Sequence, residues 1–275
     1  MTWLDHPFLQ MALWGGLLAS ITSGIIGSYV VAKRISYMAG GISHSILGGI
    51  GIALFLQKTQ NLLWLDPLLG ALVAAILSAL LLGWVHLRFK QREDALIGTI
   101  WTTGMACGVI FISLTPGSSA DLIHYLFGNI LWVTPRDLVA LGLLDLIVII
   151  LVLFYYRSLL SLCFDEEQAL LQGIPIQRLY LLLLCLVALA VVLLVQIIGT
   201  ILALALLTIP ATVASLFTNR LFTMMLVSIG LASASVISGL FLSYSLNWPP
   251  GATIALVSAA LYTGSLLLKR KGSFS

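Results

Sequence analysis

Long hydrophobic runs separated by short polar stretches fill almost the whole chain of 275 residues. Most runs are close to the roughly 20 residues that an α-helix needs to cross a bilayer, and they lack the short alternating pattern of barrel strands. Because helices satisfy their own backbone hydrogen bonds in lipid, the pattern predicts an all-α, polytopic integral membrane bundle. Nine spans are predicted, near residues 11–32, 41–57, 67–86, 95–114, 137–156, 179–196, 199–217, 222–246 and 251–268.

Residues 179–217 form an almost unbroken apolar stretch that is predicted to divide into two spans. Only Gln196 and Gly199 interrupt that stretch. One long tilted helix plus a re-entrant piece would also fit and would give eight spans. Pro210 is expected to kink or end the helix that contains it.

Composition excludes a soluble protein. Hydrophobic residues make up 60% of the chain and charged residues only 8%, against about 25% charged in soluble domains. No linker or strong internal repeat interrupts the pattern, so residues 1–275 are predicted to form a single membrane domain. The start of the chain carries Asp5 and His6 and lacks a basic segment, so no cleavable signal peptide is expected.

The placement of basic residues predicts the topology. They cluster between alternate spans, at Lys33 and Arg34, at Arg88, Lys90 and Arg92, at Arg157 and Arg178, at Arg220, and at Lys269, Arg270 and Lys271. Cytoplasmic loops carry the excess of Lys and Arg. The N-terminus is therefore expected outside and the C-terminus inside.

The predicted cytoplasmic segment 157–178 has the pattern of more than a connector. A short amphipathic helix is expected from Phe164 to Gly173, with a glycine stop followed by Pro175. Its first turn carries three acids that suit the helix dipole: Asp165, Glu166 and Glu167. Acidic residues run against the positive-inside bias. A helix that docks on a soluble partner is favoured over a simple capped connector.

A histidine and an aspartate lie well inside predicted spans, where ionisable groups usually face the bundle interior or a water-filled path. His44 stands in a glycine-dense apolar run, and neutral imidazole is a good ligand for zinc, manganese or iron. The alternative is a histidine bonded to a neighbouring helix. Asp145 has three interpretations: a pathway acid, a helix-packing acid, or a sign that the span is shifted.

The long outer loop between residues 115 and 137 holds a second candidate pair. Asp121 and His124 are three residues apart and would share one face of a helix. They could receive cargo at the outer mouth, or simply belong to a solvated loop. Two residues alone do not define a metal site.

The sequence lacks the motifs of an enzyme. It has no phosphate-binding loop ending in Gly-Lys-Ser/Thr, no His-Glu-x-x-His and no Gly-x-Ser-x-Gly. If transport by this chain is uphill, nucleotide hydrolysis has to come from another subunit.

Several ordered motifs resemble the permeases of ABC-type zinc, manganese and iron uptake systems. The similarity covers roughly residues 15–268. It is carried by Val31–Tyr37 with Gly41–Ser45, by Glu93–Gly98, by Leu126–Asn129, by Phe164–Glu167 with Gly173 and Ile174, and by Gly199–Leu202 with Leu207–Ala211.

This resemblance implies a fold related to the importer permeases for cobalamin and siderophores. It also implies a second permease copy, cytoplasmic ATP-binding subunits, an extracytoplasmic metal-binding protein and a location in the bacterial cytoplasmic (inner) membrane. The segment 164–174 would be the coupling helix for the ATPase, formed by Phe164, Asp165, Glu166, Glu167 and Gly173. The cargo would be a divalent transition metal, with no permanently bound cofactor. An ion-coupled carrier and an ABC permease for a metal chelate are the alternatives.

The chain departs from the family pattern at one position. Many members carry an aspartate four residues before the histidine, where it would share a helix face with the imidazole. Here that position is Gly40, so the metal contacts are expected to differ or to involve fewer protein ligands.

Overall fold

Helices make up nearly all of the computed structural model, which describes residues 7–60, 62, 64–89, 93–116 and 130–272. A short 3-10 turn at Ile130–Trp132 precedes the fifth helix. The helices are α1 (Pro7–Ala32), α2 (Ser36–Gln60), α3 (Pro67–Phe89), α4 (Glu93–Leu114), α5 (Pro135–Phe164), α6 (Glu166–Leu171), α7 (Ile176–Ile198), α8 (Thr200–Phe217), α9 (Leu221–Leu246) and α10 (Pro250–Gly272).

All helices except α6 are long and apolar enough to cross a membrane, which gives nine candidate spans within the described residues. The nine predicted spans are confirmed in number and order. The stretch of residues 179–217 divides at Gly199, which lies between α7 and α8. Its φ is 84° and its ψ is 162°. Glycine adopts this backbone conformation readily because it has no Cβ.

Pro210 does not end the helix that contains it. Helix α8 runs on from Thr200 through this proline to Phe217. The sequence allowed a kink or an end at this position, and the second of these is wrong.

Helix α5 is longer than the sequence predicts. Thr134 and Asp137 begin it with reciprocal bonds: Thr134 N donates to Asp137 Oδ2 at 2.9 Å, and Asp137 N donates to Thr134 Oγ1 at 3.4 Å. The helix then continues past Arg157 to Phe164. Its 30 residues span about 45 Å at 1.5 Å per residue, against about 30 Å of hydrocarbon core, so part of it extends beyond the apolar layer.

The described helices fall into two compact units. The first comprises residues 1–33, 127–156 and 197–275. In it α1 packs on α8 and α9, and α10 packs on both of those helices. At Gly24 a Cβ would lie 2.7 Å from the backbone N of Ile229, so α1 and α9 touch through their main chains.

The second unit comprises residues 34–126 and 157–196. Its centre is α2, which packs on both α3 and α4. Glycines set these spacings, because small residues let membrane helices approach closely. A Cβ at Gly49 would lie 2.1 Å from the carbonyl oxygen of Gly70 on α3, and one at Gly48 would lie 2.9 Å from that of Gly104 on α4.

Candidate functional site

His44 lies half-buried in the middle of α2, within the second unit. Its imidazole stacks on the indole of Trp101 from α4, with ring centroids 4.1 Å apart and planes inclined by 16°. Its Nδ1 is inaccessible and makes no hydrogen bond among the described residues. This geometry agrees with the sequence-based expectation that the imidazole lies inside a tightly packed bundle.

The register of α2 against α4 places these two rings together. A Cβ at Gly104 would lie 2.5 Å from Ser45 Cα and 3.2 Å from the His44 carbonyl oxygen. One turn further along, a Cβ at Gly51 would lie 2.8 Å from the Gly108 carbonyl oxygen. The two backbones therefore touch along a seam beside the stacked pair.

Gly40 lies one turn before His44 on α2 and also faces Trp101. A Cβ built at Gly40 would lie 3.4 Å from Trp101 Cζ3. The indole therefore occupies the space into which a longer side chain at position 40 would extend. The departure from the family pattern at Gly40 has a structural counterpart in the aromatic ring that covers it.

Asp145 of α5 is buried in the first unit, with 4% of its surface exposed. Thr22 of α1 donates its hydroxyl hydrogen bond to Asp145 Oδ1, whereas Oδ2 has no hydrogen-bond partner among the described residues. A buried acid that joins two helices is what the helix-packing alternative expects. A pathway role for Asp145 stays a prediction.

The other predicted metal residues, Asp121 and His124, lie outside the described residues. So does the Leu126–Asn129 motif. Within the part of the chain that the structure describes, no three His, Cys, Asp or Glu residues are close enough to hold a metal ion together. Of the four predicted metal-pathway residues, the structure therefore describes the surroundings of His44 and Asp145.

The short helix predicted at 164–173 is present but shorter than expected. Phe164 belongs to α5, Asp165 separates the two helices, and α6 covers only Glu166–Leu171. Gly173 N donates to Leu170 O and Ile174 N to Ala169 O, both at 3.0 Å, with Gly173 at a φ of 73°. This is the Schellman arrangement that glycine permits, so the predicted glycine stop is confirmed.

Large apolar side chains are exposed around α6. Phe164, Leu170 and Leu171 are 65%, 62% and 88% exposed, whereas Ala169 is buried. Asp165, Glu166 and Glu167 are exposed beside them. A mixed apolar and acidic surface on a short, firmly capped helix is suited to binding another protein.

The nine helices of the described residues that are long and apolar enough to cross a membrane define the chain as a multi-pass membrane protein. It belongs to the ABC 3 transport family, whose model matches residues 5–269. The predicted fold class, membrane location and permease family are confirmed, and the chain is a protein of the bacterial inner membrane.

Relatives and a solved structure match almost the full length. A probable metal transport system membrane protein of Chlamydia pneumoniae is 44% identical over 92% of this chain and 86% of its own length. The manganese transport system membrane protein MntC of Listeria monocytogenes is 33% identical over 98% and 93%. The structure of PsaBC from Streptococcus pneumoniae in complex with Fab has a TM-score of 0.83 at 32% identity, covering 95% and 92%.

Sequence reasoning missed two contacts of the candidate residues. Trp101 is an ordinary residue for an apolar span, and no spacing rule links it to His44, which is 57 positions away (101 − 44). Thr22 is likewise 123 positions from Asp145. In both cases the pairing depends on which helices pack together, which periodicity within one helix does not reveal.

Proposed function

We propose that this chain is the membrane permease subunit of an ATP-driven importer that carries a divalent transition metal into the cytoplasm. The observation that carries this proposal is the full-length similarity to proteins named as manganese transport system membrane proteins, at 33–34% identity. Manganese and zinc are the preferred cargoes, with iron as a third candidate. The half-buried imidazole of His44, within a helix long and apolar enough to cross the membrane, supports a path for such an ion.

The proposed path passes His44 and begins at the outer loop, with Asp121 and His124 as candidates for receiving the ion. A single imidazole binds a divalent ion weakly, since protein sites that retain zinc use three or four ligands. Weak binding suits a path, because an ion that enters has also to leave. The ion is the transported substrate and not a resident cofactor.

The proposed assembly contains a second permease copy, cytoplasmic ATP-binding subunits and an extracytoplasmic metal-binding protein. We propose that Phe164 and Gly173, with the three acids and the leucines between them, form the surface that couples the permease to the ATPase. The exposure of that surface supports the assignment. ATP hydrolysis and metal capture would then be functions of the partner subunits.

A strain without this chain tests the proposal directly. We expect lower cellular content of one metal, and slower growth when that metal is limiting, with zinc, manganese and iron assayed in parallel. Adding the limiting metal should restore growth. Normal content and growth for all three metals would contradict a metal cargo and favour a different solute.

Replacing His44 by alanine is expected to reduce uptake of the transported metal by at least about tenfold, the lower limit of what loss of a metal site's supporting partner costs. The level of permease in the membrane should not change, because the half-buried ring makes no hydrogen bond through its inaccessible Nδ1 to the described residues. Radiometal uptake and immunoblotting of membranes measure the two quantities.

The matched control is His86→Ala. His86 is also a half-buried histidine stacked on an aromatic ring, at 4.6 Å from Tyr180, and has no place in the proposed path. Uptake should fall only in the His44 variant. Near-normal uptake by His44→Ala would remove His44 from the path, and equal losses in both variants would indicate a packing role.

A further inference from the structure

We propose that Trp101 is a positioning residue for His44: its indole face fixes the orientation of the imidazole and stabilises the positive charge that the ring gains when it binds a metal ion. This inference rests on the proposed function. It assigns a role to a residue that is not itself a ligand.

The stack is close to parallel, and the glycine contacts between α2 and α4 lie beside it. The planes are within 16° of parallel at a centroid distance of 4.1 Å. Trp101 and Gly104 are three residues apart, so they lie on the same face of α4, and Gly104 is in backbone contact with Ser45. The seam therefore brings the indole against His44 as a direct result of helix register. Rotating the imidazole away from the indole would break this face-to-face contact, so the contact favours one ring orientation.

Among the described residues, Nδ1 of His44 lacks the hydrogen bond that usually orients a ligand histidine. A metal-binding imidazole normally donates its second N–H to a carboxylate or a carbonyl, which fixes the ring and its tautomer. The Nδ1 of His44 is also inaccessible. The face of Trp101 provides an orientation that does not depend on a hydrogen bond.

The same face favours the loaded state of the site. An indole ring has a negative face that attracts a cation lying over it. An imidazole that binds a divalent ion is polarised by it, so its ring carries a share of the positive charge that the free neutral ring does not have. At Gly40, one turn away, the chain carries no carboxylate that could supply this stabilisation, and the indole fills the space beside it.

The test uses the purified permease assembled with its ATPase subunits and labelled with ¹³C,¹⁵N-histidine. The chain has four histidines, and loss of a signal in His44→Ala assigns His44. Stacking on an indole shifts the ring protons of His44 upfield, so this shift reports the stack without any transport. Titration with Zn²⁺ alone, a diamagnetic probe, then gives the apparent Kd at His44.

We expect Trp101→Leu to abolish the upfield shift and to raise the apparent Kd for Zn²⁺ by about three- to tenfold, within the range of a partly buried cation–π contact. Metal uptake should fall in parallel. Trp101→Phe keeps an aromatic face and should retain most of both properties. The matched control is Trp84→Leu, which removes an exposed tryptophan of α3 that pairs with Phe89 and should change neither.

Three outcomes would overturn the inference. The first is an unchanged Zn²⁺ affinity in Trp101→Leu, and the second is a loss that phenylalanine does not rescue, which indicates packing alone. The third is a wild-type His44 without an upfield shift, which would show that the stack is absent in solution. Failure of the proposed function is distinguishable, because it appears as normal metal content in the deletion strain, whereas failure of this inference leaves that metal deficit in place.

Discussion

Replacing Gly49 by valine is expected to remove most of the folded permease from the membrane. A Cβ at this position would lie 2.1 Å from the Gly70 carbonyl oxygen and 2.6 Å from Ala74 Cβ, and a Cβ at Gly70 would lie 2.3 Å from the Gly49 carbonyl oxygen. Two backbones therefore meet directly, and no flexible side chain can move aside. Overpacking of a core typically costs about 1–3 kcal/mol, and valine adds three carbons at this contact.

The measurement is the amount of detergent-extracted protein that elutes as a single species, with its thermal midpoint. The matched control is Gly98→Val, on α4 in the same unit, where nothing lies within 4 Å of the added Cβ. That variant should be close to wild type. Equal yields of the two variants would show that α2 and α3 are further apart than the structure indicates.

The positions of the membrane helices could be predicted because lipid imposes a simple rule on sequence. A span of about 20 apolar residues has to satisfy its backbone N–H and C=O groups through the hydrogen bonds of a helix. Each apolar run therefore marks the position of a helix. Helix α1 begins at Pro7 and α2 at Ser36, ahead of predicted starts at residues 11 and 41. Polar residues next to an apolar run can continue the helix into water.

The end of α5 shows the limit of that rule most clearly. Arg157 marks the predicted membrane boundary, yet the helix continues to Phe164. Charge predicts where lipid ends, whereas a helix ends where the backbone is interrupted or capped. Gly199 and Gly173 could be predicted as breaks because glycine adopts a positive φ without strain. Both residues have a positive φ in the structure.

For a related reason, the ionisable residues of the candidate site could be predicted from the sequence, but their contact partners could not. An ionisable residue in an apolar run is unusual by itself, so His44 and Asp145 stand out in one sequence. Their partners Trp101 and Thr22 do not, because an aromatic or a hydroxyl side chain is unremarkable in a membrane helix. Those partners follow from tertiary contacts, and in the case of α2 and α4 the glycines that create the contact are scattered over both helices.

Reversing the charge of Asp165, Glu166 and Glu167 to lysine is expected to uncouple ATP hydrolysis from transport. These exposed acids lie at the start of α6, beside apolar side chains that are available for contact. Like charges facing each other across an interface cost several kcal/mol, and cations at a helix N-terminus oppose the dipole. Uptake and substrate-stimulated hydrolysis should both fall by at least about tenfold, which corresponds to 1.4 kcal/mol.

A neutral triple variant separates the two causes. Asp165→Asn, Glu166→Gln and Glu167→Gln keep the side-chain size and place no cation at the helix start, so they should cause a smaller loss if charge complementarity with the ATPase matters. Asp94→Lys, in the exposed first turn of α4, also places a cation at a helix N-terminus, so it is the control for the dipole effect alone and should lose much less uptake than the reversal at α6. Full substrate stimulation of hydrolysis in the lysine triple variant would show that α6 is a capped connector, because a coupling surface could not tolerate that reversal.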